Sequence, residues 1–161
     1  MRREEGCLRS VVGILLFIVL LPILLLVLPL YGLCRLAKGM LLKAKFRRTW
    51  GPKGMVAVLI YSDSPNWKQY IEREVLPRVS DRVVVVNWSL RSQWPQPRPI
   101  EIQLFEHWGG RREFNPMAII VPCRGRVQTI RMRQAFRDLK HGNLDEITKR
   151  LTELFGAIDA A

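Results

Sequence analysis

Twenty-five consecutive residues without a charge, Ser10 to Cys34, limit what this chain can fold into. They read SVVGILLFIVLLPILLLVLPLYGLC, bracketed by Arg9 and Arg35. A soluble surface helix needs a polar face, and this stretch has none. As a helix it reaches about 37 Å at about 1.5 Å per residue, enough for a hydrocarbon core about 30 Å thick with some tilt. Burying it inside a protein would take more surrounding chain than 161 residues supply. The sequence therefore predicts a membrane-embedded segment over residues 10–34. Pro22 and Pro29 each remove a helical donor, so a kinked single span is the default and a re-entrant hairpin the alternative. A cleaved signal peptide would have a shorter apolar region and small residues before its cleavage site. Leu33 stands where a lipoprotein signal wants a small residue. Cys34 remains a candidate for lipidation at a membrane end.

The formal net charge of +12 is unevenly spread. Residues 1–9 net +1, residues 35–53 net +7 with no acid, and residues 54–161 net +4. A nucleic-acid-binding protein more often carries its charge on the folded module. Here the excess lies beside the apolar stretch, as the positive-inside bias requires. It predicts a short outer N-terminus (1–9) and a cytoplasmic C-terminal domain. Arg35, Lys38, Lys43, Lys45, Arg47 and Arg48 form the basic cluster. Met40, Leu41, Leu42, Phe46 and Trp50 lie between them, so this stretch can form an interfacial helix on anionic lipid or a solvated linker. Gly51-Pro52-Lys53-Gly54 breaks the chain and sets the expected boundary between a basic linker, 35–53, and a domain, 54–161.

With 48% apolar and 25% charged residues, the chain is too apolar for a disordered protein. Its three cysteines exclude a disulfide-dense scaffold. Residues 55–61 and 82–88 are apolar runs of strand length, read as strands buried on both faces. Between them Asp63 or Ser64 can cap a helix with Pro65 in its first turn. Trp67, Tyr70, Ile71 and Val75 form its stripe, and Leu76-Pro77 ends it. Pro95, Pro97 and Pro99 mark a loop. A short helix over 100–108 stops at Gly109-Gly110. Strands over 117–121 and 127–131 pair antiparallel through a turn at Arg124-Gly125. The last helix starts at Asn143, which with Glu146 has a capping-box pattern, and Ile147, Leu151, Leu154, Phe155 and Ile158 form its stripe. The order is β-α-β-α-β-β-α, an α/β fold.

That order, with the stretch FNPMAIIVPCRGRVQTI, resembles the thioredoxin-like family. Pro116 takes the place of the family's cis-proline ahead of the third strand, and Gly125 takes the hairpin turn. The resemblance covers roughly residues 54–158 and implies a mixed sheet flanked by helices. Ser64-Pro65-Asn66-Trp67-Lys68 stands where the family has Cys-x-x-Cys-Lys, so Ser64 replaces the attacking cysteine and Trp67 the resolving one. A hydroxyl cannot perform thiol–disulfide exchange, which needs a thiolate. Val58 falls where many redox-active members keep a buried acid. The resemblance thus implies a redox-inactive domain without a cofactor, using the family's peptide-docking face for binding. Here that face would hold Ser64, Pro65, Trp67, Asn115 and Pro116, with Trp67 either an exposed anchor or a plug over the core.

Little else points to chemistry. Cys123, flanked by Arg124 and near Arg126, is the one candidate reactive thiol of the domain. His107 and His141 match no zinc spacing, so no metal is expected. Ser64 has no nominated base, and Gly109-Gly110-Arg111-Arg112 lacks what a phosphate loop needs. A nucleic-acid surface would draw on Arg111, Arg112, Arg124, Arg126, Arg131, Arg133 and Arg137, with Trp88, Trp94 and Trp108 as stacking platforms. The modest charge of the domain argues against it, and an arginine face toward anionic lipid fits the tether better. The expected role is a membrane-tethered adaptor, or a subunit of a membrane-associated assembly, in contact with the bilayer and with a protein partner near Trp67 and Pro116. The alternatives are an enzyme using Cys123 alone, an unrecognised transferase, and a basic face for anionic lipid or nucleic acid.

Overall fold

A computed structural model describes residues 2–110 and 115–161, with side chains at Phe17 and from Leu20 onward. Helix α1 (Arg2–Trp50) runs unbroken through Pro22 and Pro29, so no re-entrant hairpin forms. The remaining backbone groups stay paired within the helix, which the apolar flanks favour. Its most apolar window, within Leu20–Lys53, has a mean hydropathy of 2.1, and none of it is buried. Leu25, Leu26 and Leu33 are all more than half exposed. This helix is long and apolar enough to cross a membrane.

The chain divides into two compact units, one ending at Met40 and the other running Leu41–Ala161. The second unit is an α/β domain around a mixed four-stranded sheet. Strands β1 (Ala57–Tyr61), β2 (Val83–Asn87), β3 (Met117–Ile120) and β4 (Gln128–Arg131) lie in the order β2-β1-β3-β4. β1 pairs parallel with β2, from Ala57 opposite Val83 to Tyr61 opposite Asn87. β3 runs antiparallel to both β1 and β4. Gly125, in the turn joining β3 to β4, has φ +87°, a conformation that favours glycine. β1 is buried at every position. β2 is an edge strand with Val85 43% exposed, so the expectation that it is covered on both faces fails.

Alternation along β1 sends side chains to two cores. Ala57, Leu59 and Tyr61 face a cluster built from Ile71, Val75 and Val79 on one side of the unit, with Phe136, Ile147, Leu151, Leu154 and Ile158. Ile71 and Val75 lie in a π-helical turn (Ile71–Val75) that continues α2 (Lys68–Tyr70), Val79 lies in α3 (Leu76–Val79), and the rest come from two further helices described below. Leu76-Pro77 does not end this helical stretch. Pro77 falls in the first turn of α3, where a missing donor is tolerated. Val58 and Ile60 face the other cluster, with Ile100, Ile102, Leu104 and Phe105 of α4 (Ile100–Leu104) and the π-helical turn Phe105–Gly109.

That second cluster also holds Leu42 (6% exposed) and Phe46 (0%), four residues apart on one face of α1. The unit therefore begins ahead of the Gly51–Gly54 break. Trp50 still marks the helix end: its carbonyl accepts from Met55 N–H at 3.2 Å and its indole donates to Glu101 at 3.3 Å.

After β4 the structure has a helix that the sequence order above omits, α5 (Arg133–Lys140), with Ala135 and Phe136 buried. α6 (Asp145–Asp159) closes the unit. Asn143 Oδ1 accepts from Asp145 N–H at 3.1 Å, but the capping box does not close. Glu146 turns to Arg150 at 3.0 Å, and Asn143 N–H donates to the Asp138 carbonyl instead.

If the end of α1 is a core element, Phe46→Ala lowers the stability of the second unit by about 3–5 kcal/mol, read as a lower denaturant midpoint. The exposed neighbour changed in the same way, Lys45→Ala, leaves that midpoint within about 0.5 kcal/mol of the parent.

Candidate functional site

The segment joining β1 to α2 is held by a small polar network. Tyr61 donates from its hydroxyl to Glu72 at 3.2 Å. Burial, then the Glu72 charge, holds this phenol above its ordinary pKa. Asp63 accepts from Lys68 Nζ at 2.7 Å and from Asn87 Nδ2 at 3.2 Å, while its own N–H donates to Ser89 Oγ at 2.9 Å. Asp63 thus ties the start of α2 to the end of β2. The hydrogen bond from Lys68, then that from Asn87, holds its carboxyl below the usual carboxylate range.

Ser64 is used locally. Its carbonyl accepts from the N–H groups of Trp67 (3.3 Å) and Lys68 (3.0 Å), and its Oγ accepts from Asn66 N–H at 3.4 Å. The helix consequently starts at Lys68 rather than at Pro65. Trp67 is half-buried, its indole N–H donates to Ser62 Oγ at 3.2 Å, and its ring lies 6.4 Å from that of Phe136 at 58°. One face of Trp67 therefore plugs the core while the rest reaches the surface beside the exposed Pro65.

Asn115 and Pro116 do not share that surface. Asn115 is 4% exposed and Pro116 is buried. The Asn115–Pro116 peptide is cis, and the Pro116 carbonyl accepts from Met132 N–H at 2.9 Å. Asn115 Oδ1 has no hydrogen-bond partner among the described residues. The five residues read as one docking face thus split into a rim (Ser64, Pro65, Trp67) and buried positions (Asn115, Pro116).

What borders the rim is α5. Between Trp67 and α5 lies a hollow of about 270 Å³, lined by Asn66, Trp67, Arg133, Phe136, Arg137, Lys140 and His141. Sequence reading missed this site because it missed the helix. The signal was present: Ala135, Phe136 and Leu139 recur at helical spacing among polar residues.

A second cationic feature sits at the β3–β4 turn. Cys123 is exposed, its N–H donates to the Ala161 carbonyl at 3.1 Å, and the Arg47 guanidinium donates to its Sγ. Arg47 also donates to the Val121 carbonyl at 3.4 Å, and Lys43 donates to that of Gly125 at 2.7 Å. Of the cluster read as a lipid-facing surface, Lys43 and Arg47 are therefore turned to the domain, while Arg35, Lys38, Lys45 and Arg48 are exposed.

Of the arginines considered for nucleic acid, Arg133 and Arg137 line the hollow beside Trp67. Arg111 and Arg112 lie outside the described residues. Trp88 and Trp94 pack edge-to-face with each other at 5.4 Å and with Phe105 at 5.0 and 6.3 Å, serving the core rather than a stacking platform. His107 packs on Trp108 at 4.4 Å. Among the described residues no group of three His, Cys, Asp or Glu side chains is placed to hold a metal ion. Compared with known proteins, the chain matches no family model, no curated protein and no solved structure.

A depressed carboxyl pKa stabilises the fold above the ordinary carboxylate value, and that contribution is lost as pH falls through the folded value. Asp63→Asn is therefore expected to lower the melting temperature at neutral pH. The gap to the parent closes on acidification below about pH 4. Melting curves across that range check it, and a gap independent of pH would show that the Asp63 charge is not what holds the segment.

Proposed function

We propose that this chain is a membrane-anchored, redox-inactive binding domain of thioredoxin-like fold, an adaptor or a subunit of a membrane-associated assembly. The observation that carries the binding role is Trp67. Where the family keeps a resolving cysteine, this chain has an indole that is half-buried against Phe136 and walls a hollow lined by cations. The other family cysteine position, Ser64, is spent on the turn that starts α2.

The fold part of the reading is supported by the mixed sheet with helices on both faces, by Pro116 directly ahead of β3 and by Gly125 in the β3–β4 turn. Val58 is fully buried among apolar side chains, so no acid stands ready there to move a proton. Anchoring is supported by the exposed apolar window of α1. The basic excess after it supports a cytoplasmic C-terminal domain, with Lys38, Lys45 and Arg48 exposed toward anionic lipid.

Two measurements on the full chain test this reading. Expressed in cells, it stays in the membrane fraction through alkaline carbonate extraction at full length, and a reporter fused after Ala161 reads out on the cytoplasmic side. Release by carbonate, or a shorter chain cut near Cys34, would overturn the anchor. In detergent, it reduces insulin disulfides no faster than buffer with dithiothreitol alone. Turnover above that background, abolished by Cys123→Ala, would replace the binding role with single-thiol chemistry.

A further inference from the structure

The two edges of the sheet are not alike. β4 carries a charge within the strand, Arg131, beside the exposed Gln128, and charge on an edge strand discourages pairing with other chains. β2 has no such guard. Val83 to Asn87 holds no charge and no proline, and it pairs with β1 residue for residue without a bulge. The inward side of β2 is fixed by Arg82, whose carbonyl accepts from Ala57 N–H at 3.3 Å. Alternation along the strand then turns the main-chain groups of Val84 and Val86 toward β1 and those of Val83, Val85 and Asn87 away from the sheet. Among the described residues, no hydrogen bond other than the pairing with β1 reaches the main chain of Val83 to Val86. The outward groups are therefore open along the strand, and Val85 beside them is 43% exposed.

We infer that two copies of this chain pair along β2, antiparallel about a two-fold axis at Val85, so that their sheets join into one. A row of open main-chain donors and acceptors is complementary to another extended main chain rather than to a small molecule. Symmetry and area select a second copy as that chain. With the axis at Val85, this residue exchanges its hydrogen bonds with its own counterpart, and Val83 and Asn87 meet on either side. This register engages all three outward positions. Val85 is then covered by a second Val85, and no like charges meet because Val83–Asn87 carries none. The contact is short. Five residues span about 17 Å, and an edge of that length covers less than the about 800 Å² per partner of stable soluble complexes. A soluble partner held by this edge alone would leave quickly, whereas copies confined to one bilayer meet again at high effective concentration. The inference goes beyond the binding role at Trp67 and rests on the membrane anchor proposed above.

The test uses the full chain in isolated membranes. Cys7→Ser, Cys34→Ser and Cys123→Ser remove the native thiols, and one cysteine is then introduced by Val85→Cys or, on the opposite edge, by Gln128→Cys. Copper phenanthroline in air supplies the oxidant. Directly opposed residues of a hydrogen-bonded antiparallel pair have Cα atoms about 5.5 Å apart, within the about 4.4–6.8 Å that a disulfide spans. The Val85→Cys chain is expected to give at least about tenfold more disulfide-linked dimer than the Gln128→Cys chain. In a second measurement, energy transfer is read between fluorescent proteins of two colours fused after Ala161. Val85→Lys puts a charge on the edge, and Val85→Pro removes an outward donor without removing a bond to β1. Each should lower the paired fraction at least about tenfold, and the melting temperature of the Val85→Lys chain in detergent should stay within a few degrees of the parent. Absence of the Val85 dimer, an equal yield from Gln128→Cys, or undiminished energy transfer in the Val85→Lys chain overturns the inference. So does capture of a different protein by Val85→Cys in place of a second copy, which would assign the edge to that partner. Carbonate extraction of the same membranes reports on the anchor separately: a chain that stays in the membrane without forming the Val85 dimer overturns the pairing alone.

Discussion

Everything in the C-terminal unit follows from a strand that has no polar face. β1 is buried at all five positions, and five consecutive apolar side chains alternate to both sides of the sheet. Each side must be covered. On one side the Ile71–Val75 turn, α3, α5 and α6 do so; on the other α4 and its π-helical extension do, with Trp88 and Trp94 packed against them. That second cover is short, and the sheet face it leaves is closed by Leu42 and Phe46 from the end of α1. Removing water from a side chain the size of phenylalanine contributes about 1.5–3 kcal/mol, a sizeable part of the marginal stability of a domain this small. The helix that begins as a free apolar rod thus ends as a structural element of the fold.

This double use explains which parts were legible beforehand. The uncharged stretch, the four strands, the hairpin glycine and the stripe of α6 all follow from local pattern, and each lies within a few residues of its expected place. The domain boundary did not follow. Leu42 and Phe46 at i and i+4 look the same whether they meet lipid or a sheet, since both are apolar surroundings and periodicity reports only the existence of a face. The break at Gly51–Gly54 is real as a break in the helix, but the compact unit extends across it because burial, not backbone continuity, defines the unit. α5 was lost for a different reason. It is eight residues long with half of them charged, and only Ala135 and Phe136 are fully buried, too short a stripe to stand out from a loop.

The candidate site shows the same limit. Ser64, Pro65 and Trp67 were singled out by a resemblance in order and spacing to a known motif, and the structure does bring them to one rim. Asn115 and Pro116 neighbour that rim through the chain of hydrogen bonds from Pro116 to Met132 and Met132 to Phe136. They lie beneath the surface, and burial cannot be read from a resemblance in order and spacing. The cations that do border Trp67 belong to the unrecognised helix. Their juxtaposition needs Trp67 and Phe136, sixty-nine positions apart in sequence, to pack ring against ring. No local rule supplies a contact of that range.

The basic stretch after the apolar segment carries two kinds of information that a charge count merges. Orientation in a membrane depends on lysines and arginines near the end of the span, regardless of what they touch later. The folded domain, by contrast, uses individual donors at individual carbonyls. Lys43 reaches Gly125, and Arg47 reaches Val121 and Cys123, so the β3–β4 turn is fastened to the same helical turns that bury Leu42 and Phe46. Lys45 and Arg48 stand on the opposite side of those turns and stay exposed. One helix face therefore locks the turn to the sheet and the other keeps its charge for the surroundings. This division also bears on Cys123. Its closest cation is a side chain already engaged by a main-chain carbonyl, which places the thiol in a structural corner of the domain.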